Sequence, residues 1–236
     1  MKSFYRIAIL GLALAPATAL FSQAPSPQLT NVKSQLDAAA KTFKNAQASV
    51  QYDNYTRAAR AHDLETGSIF IERSGSSSGM GAVFYNPGPD SKPAKSPSRV
   101  ISYDGGTLQI YSPGVNQVDV FKAGANQAKY ESFLTLGFGG SGTALAKSWN
   151  IQDQGSETID GVKTEKLFLT SNDPSVTNTF SHVTIWVDPT RGISLKQVFL
   201  APNGDMRTAT YSNIKLNASI NKKPYGISNK ANHINH

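Results

Sequence analysis

GFGGSG at residues 137–142 has the G-x-G-x-x-G spacing with which a backbone turn can cradle a phosphate, and it leads into a possible short helix at Thr143–Lys147. That chemistry needs more than glycines. A strand must feed the turn and a crossover must return to a parallel strand, whereas the neighbours here carry the alternation of antiparallel strands. The glycines read better as a flexible hinge between two apolar segments. Nucleophilic chemistry has little material, because the chain has no cysteine and four histidines. His62 stands beside Asp63 in a polar turn. His182 lies mid-strand next to Val183 and Ile185, the setting of a sheet histidine rather than a general base. His233 and His236 supply two ligands where a structural zinc site takes four. No two carboxylates sit on adjacent strand ends around an evident cleft, as glycoside hydrolysis requires. No catalytic residue, metal site or cofactor is expected, and the chain reads as a binding protein rather than an enzyme.

The elements that would position any site are mostly strands. Leu29, Val32, Leu36, Ala40 and Phe43 recur at three- and four-residue steps and predict an amphipathic helix, capped by Thr30 or Asn31. From residue 48 the period becomes two. Eleven strands are predicted, at 48–56, 66–73, 79–86, 98–103, 106–112, 115–121, 148–155, 162–171, 179–187, 192–200 and 205–216. Asp104-Gly105, Asp160-Gly161, Asn203-Gly204 and the turn Pro189–Gly192 are hairpin material, so consecutive strands pair as antiparallel neighbours. So many twisted strands with one helix to cover them predict a mainly β (α+β) fold, an incomplete antiparallel barrel. Asn86–Pro97, with four prolines, reads as an exposed loop. Asn126–Lys147 is more apolar and reads as a cover for the barrel mouth. Several strands are apolar on both faces, which a filled core and an open cavity explain equally well.

Met1–Ala19 has a basic start (Lys2, Arg6), an apolar core Ile7–Ala15 and Ala17-Thr18-Ala19 as a small-x-small cleavage site, the pattern of a secretory signal. Cleavage there removes 19 of 236 residues and two positive charges, leaving 217 residues and taking the formal charge from +7 to +5. Residues 20–28 form a Pro-rich leader, 29–221 one domain, and 222–236 a polar, mobile tail. An exported chain without cysteine must stand on its core alone, and it cannot carry the acyl chains of a bacterial lipoprotein on itself. Its basic residues are scattered singly, which argues against a nucleic-acid partner and suits anionic lipid or an acidic partner.

The meander ISYDGGTLQIYSPGVNQVDV, residues 101–120, carries a further signal. Its DGGTLQIYSPGVNQV resembles the DG-x-x-L-x-x-Y-x-P-x-x-x-Q-V segment of LolA-type periplasmic lipoprotein carriers. The resemblance runs from the helix near Leu36 to about Leu216. It implies an eleven-stranded incomplete barrel around a helical lid, and a periplasmic carrier of acylated lipoproteins. Such a carrier takes its cargo from an inner-membrane lipoprotein-releasing transporter and passes it, as a monomer, to an outer-membrane receptor. By position and parity the lipid-binding cavity would be lined by Ile69, Ile71, Met80, Phe84, Ile101, Leu108 and Ile110, with Phe133, Leu136 and Phe138 from the lid. The arginine that the family associates with lid movement aligns with Arg73, although Glu72 and Ser74 replace its usual basic and proline neighbours.

Overall fold

A computed structural model describes residues 26–75, 77–88, 92–124, 127, 131 and 136–236. The expected signal segment 1–19 and Phe133 lie outside the described residues. Helix α1 spans Pro27–Thr42, with Ser26 as its N-cap accepting the Leu29 amide at 3.1 Å and Pro27 in the first turn. The helix therefore starts before Thr30 and Asn31, inside the expected leader. A proline there costs nothing, since its missing N–H would have no partner in the first turn anyway. Leu29, Val32, Leu36 and Ala40 form the buried stripe.

The strands are β1 (Asn45–Thr56), β2 (Ala61–Ser74), β3 (Ser77–Tyr85), β4 (Arg99–Asp104), β5 (Thr107–Ser112), β6 (Gln117–Lys122), β7 (Trp149–Ile159), β8 (Val162–Ser171), β9 (His182–Asp188), β10 (Ile193–Leu200), β11 (Met206–Leu216) and β12 (Asn232–Asn235). A short helix α2, Gly142–Ser148, precedes β7. The sheet order is β12-β6-β5-β4-β3-β2-β1-β11-β10-β9-β8-β7. Two antiparallel meanders, β1–β6 and β7–β11, are thus joined where β1 pairs with β11, in a register that sets Val50 against Tyr211 and Tyr52 against Ala209. The hairpins use the expected turns: Gly105 and Gly106 have φ of 53° and 80°, and Asp160 and Gly161 have 48° and 76°. These are the positive values that a tight antiparallel turn demands. The first and last strands, β12 and β7, do not pair, so the sheet is an open, incomplete barrel.

Helix α1 and residues 136–138 lie on the inner face. Leu29, Val32, Leu36 and Leu136 pack with Trp149, Leu167, Leu169, Val183, Ile185, Val187 and Phe199 of β7–β10. Phe43 and Phe138 extend the core towards β1–β4. The tail, expected to be mobile, is laid on the outer face instead. Tyr225 is buried against Phe70, Val83 and Val100, its hydroxyl 3.0 Å from Ser68 Oγ. Ala231 covers Val118 and Val120. Residues 232–235 then add β12 in parallel to β6, and the His236 ring stacks on Phe121 at 4.5 Å.

A tail that covers apolar strand residues contributes to stability. Tyr225→Ala should lower the free energy of unfolding by about 3 kcal/mol, as expected for truncating a buried aromatic. Urea denaturation measures this, and an unchanged midpoint would mean that the tail is not packed in solution.

Candidate functional site

The inner face is built by strand alternation. Register places Ile69 opposite Ala82 and Ala48, and Ile71 opposite Met80 and Ala46. Ile101 then falls opposite Ala82, Leu108 opposite Tyr103, and Ile110 opposite Ile101. All seven residues expected along the cavity therefore share one face. Ile69, Ile71, Met80 and Phe84 are buried in one core cluster, and Ile101 and Leu108 pack half-buried against it. Ile110 is half-buried towards the β6 side. Of the expected lid residues, Leu136 and Phe138 are buried at 3% exposure, so they belong to the core as it stands. Phe138 meets Tyr211 edge-on, with ring centroids 4.8 Å apart, and bridges to Ile193.

Between α1, residues 136–145 and the sheet remains a pocket of about 370 Å³, walled by Leu36, Leu136, Leu145, Ile185, Val187 and Arg73. That is near the small end of the roughly 300–1,000 Å³ usual for ligand cavities. Among the described residues, α1 together with Leu136 and Phe138 occupies the inner face around this pocket.

Polar ties hold the cover down. Arg73, at the end of β2, donates from Nη1 to the Ala40 carbonyl and from Nη2 to the Gly139 carbonyl, both at 2.7 Å. Its guanidinium lies 5.7 Å from the Phe43 ring centroid. One arginine therefore joins the last turn of α1, whose carbonyls lack helical partners, to the glycine segment. Glu72, beside it, is engaged by Lys222 of the tail. Gln197, buried on β10, donates to the Leu136 carbonyl at 2.6 Å and accepts from the Tyr211 hydroxyl at 3.0 Å. Burial raises the Tyr211 pKa well above its usual value, so the hydroxyl stays neutral and available as a donor. Tyr103 donates to Glu131 at 3.2 Å, and burial together with that carboxylate pushes its pKa up to about 12. Asp37 of α1 accepts from the Thr143 amide at 2.9 Å and the Thr143 hydroxyl at 2.8 Å, tying α2 to α1. Gln197, Tyr103 and Asp37 are polar residues at sites where the sequence signals only alternation or helix surface.

The glycines expected as a hinge serve close packing. A Cβ at Gly137 would come within 2.6 Å of Ser194 Cβ, and one at Gly142 within 2.4 Å of the Lys33 carbonyl oxygen. Helix α2 has seven residues, Ser141 caps it, and its first turn packs on α1 rather than on open space. His182 sits 4.4 Å from the Phe168 ring, and burial lowers its pKa. Among the described residues no group of three or more His, Cys, Asp or Glu side chains is placed to hold a metal ion. Among the same residues no helix is long and apolar enough to cross a membrane.

No protein-family model matches the chain, and no curated protein is similar to it in sequence. Solved structures do share its fold. An uncharacterized conserved protein from Thermus thermophilus superposes with a TM-score of 0.54 at 11% identity, over 89% of this chain and 99% of that one. MucB superposes at 0.50 with 13% identity, over 89% of this chain and 66% of MucB. A LolA superfamily protein from Nitrosomonas europaea, at 0.37 and 16% identity over 84% and 97% of the two chains, is a more distant likeness. At these identities the likeness is one of fold. The architecture itself, eleven antiparallel strands curled around a helix and a cover, is the incomplete barrel expected from the strand pattern.

The Asp37 tie has a defined pH dependence. Chiefly the Thr143 amide holds its pKa below the usual 3.8. A carboxylate depressed on folding stabilises above its unfolded pKa and loses that contribution as pH falls through the folded value. Asp37→Ala should therefore cost about 0.5–1 kcal/mol at pH 7, the scale of a lost helix cap. Thermal unfolding of the wild type and the variant should converge as the pH drops below 3.8, and a constant gap would show that the carboxylate charge is not involved.

Proposed function

We propose that this protein is an exported, non-catalytic carrier that shelters acyl chains of lipoproteins and passes them from an inner-membrane transporter to an outer-membrane receptor. The observation that carries this reading is Arg73, which ties the end of α1 to the Gly139 carbonyl of a segment lying over an apolar inner face. Each acyl CH₂ left in water costs roughly 0.8 kcal/mol, so a 16-carbon chain costs on the order of 12 kcal/mol. A cargo of that kind can displace a cover held by a few hydrogen bonds, each worth about 0.5–3 kcal/mol net. Release then needs only an acceptor with higher affinity, and no energy source in the carrier.

Loading follows from the geometry. The pocket of about 370 Å³ has no room for two or three acyl chains beside Leu136 and Phe138, so the cover must leave as they enter. The Ile69, Ile71, Met80, Phe84, Ile101, Leu108 and Ile110 surface then becomes the lipid contact. The small pocket also favours a second reading, a binding module of the same fold for a cargo with a single chain.

Native mass spectrometry of the mature protein from periplasm, beside Arg73→Leu, tests both. The carrier reading expects a bound acylated species, retained several-fold more by the variant because leucine removes both latch bonds. A single-chain lipid in its place would favour the second reading. A protein that is empty and excludes added acylated peptide would overturn both, leaving a filled core.

A further inference from the structure

Formal charge is unevenly distributed along the barrel. At the end where β1 turns into β2, Arg57, Arg60, Arg99 and Arg207 stand against Asp53, Asp63, Glu65 and Asp205, four against four. That end is balanced. The opposite ends of β1, β2 and β11 meet the last turn of α1 and the start of the tail, and there Lys41, Lys44, Arg73, Lys215, Lys222 and Lys223 stand against Glu72. Around the rest of that rim the turns carry Asp104, Asp160 and Asp188 with Lys122, Lys163 and Arg191, which cancel. Six cations against one anion leave a surplus of five. It equals the whole formal charge of +5 expected on the mature chain.

Hydrogen bonds gather these cations at one corner. The Arg73 amide donates to the Lys44 carbonyl at 2.8 Å, and Asn217 Oδ1 accepts the Lys44 amide at 2.8 Å while its Nδ2 donates to the Thr42 carbonyl at 3.1 Å. Lys215 pairs with Gln47, whose side chain donates to the Ser219 carbonyl at 2.8 Å and so brings the tail to the same place. Lys222 engages Glu72. Lys41, Lys44, Lys215 and Lys223 are exposed, with no carboxylate in ion-pair distance among the described residues. Lys41 has a local reason to be there, since a cation in the last turn of α1 complements the free helix carbonyls. Lys44, Lys215 and Lys223 have none. Clustered like charges repel one another, so their collection at one corner points to an anion outside the chain. Arg73 also walls the pocket of about 370 Å³, so the corner borders the covered opening.

We propose that the Arg73 end of the barrel is a docking face for an anionic phospholipid surface, on which the protein settles with its covered opening towards the bilayer. Five of the six cations are lysines, compact charges on flexible stems that suit a diffuse layer of headgroups. A shaped protein interface favours arginine and is depleted in lysine. Docking in this orientation deepens the carrier reading and draws its purpose from it, because cargo would then enter and leave beside the membrane; the charged face itself stands independently.

Cosedimentation of the mature protein with vesicles tests this, using phosphatidylcholine alone and phosphatidylcholine with one third phosphatidylglycerol. The anionic vesicles should bind at least tenfold tighter in 0.1 M salt. Raising the salt to 1 M shortens the Debye length from about 10 Å to about 3 Å and should abolish the difference. Each lysine near such a surface is worth about a fivefold change in affinity, so Lys44→Gln with Lys215→Gln should weaken binding by ten- to thirtyfold. Arg57→Gln with Arg60→Gln removes the same two charges at the balanced end and should change binding less than threefold. Equal losses from the two pairs would mean attraction by net charge alone and overturn the docking face. Equal binding to both vesicles, or binding to neither, would also overturn it. Retention on immobilised polyglutamate without vesicle binding would give the corner to an acidic protein instead, and overturn the lipid surface. A wild type that docks on anionic vesicles yet retains no acylated species keeps the docking face and discards the carrier reading.

Discussion

A curled sheet whose end strands do not meet leaves its inner face open along the seam, and an apolar inner face cannot stay wet. Leu167, Leu169, Val183, Ile185 and Val187 alone present five large side chains that are fully buried. Burying each contributes roughly 1.5–3 kcal/mol, so something must lie on them. In this chain that is α1, through Leu29, Val32 and Leu36, which makes the β7–β10 half of the interior a permanent core. Over the β2–β5 half the described core contacts come from Phe43 and Phe138, beside residues that stay partly exposed.

The attachments of the segment over the inner face include a few specific polar ones. The cover is fixed both by burial of Leu136 and Phe138 and by hydrogen bonds to backbone carbonyls, Gly139 held by Arg73 and Leu136 by Gln197. Arginine suits the latch because one planar group reaches two carbonyls on different elements, which a lysine ammonium would do with less geometric control. On the outer face the tail is bound by Tyr225 packing on Phe70 and by a strand ladder to β6.

Much of this is legible in the sequence where local signals and global fold agree. Asp104-Gly105-Gly106 and Asp160-Gly161 fix hairpins, and parity from Ile69 through Ile110 fixes which residues share a face, because a one-residue slip would turn all of them outward. The start of α1 was legible too, as Ser26 followed by Pro27, but in a stretch dense with prolines it reads as leader. The tail was not legible. Its apolar residues, Tyr225, Ile227, Ala231 and Ile234, follow neither helical nor strand period, and a parallel pairing across more than a hundred residues leaves no local mark. Arg73 was placed by resemblance, while Gln197 and Asp37 depend on what the fold brings opposite them, which no spacing encodes.

The two ends of the barrel are unlike because the same inner face meets water at both. At the Arg73 end a segment of the chain closes the opening and satisfies the guanidinium with its own carbonyls. At the opposite end Arg207 is exposed and donates to the Asn54 side chain. Between them, Tyr52 and Tyr211 influence one another's ionisation, and Tyr211 continues through Gln197 to the Leu136 carbonyl of the cover. A buried polar line costs stability unless every member is satisfied, so its members hold one another in a single arrangement. The apolar interior and the polar line crossing it thus make the two mouths physically continuous rather than separate sites on one surface.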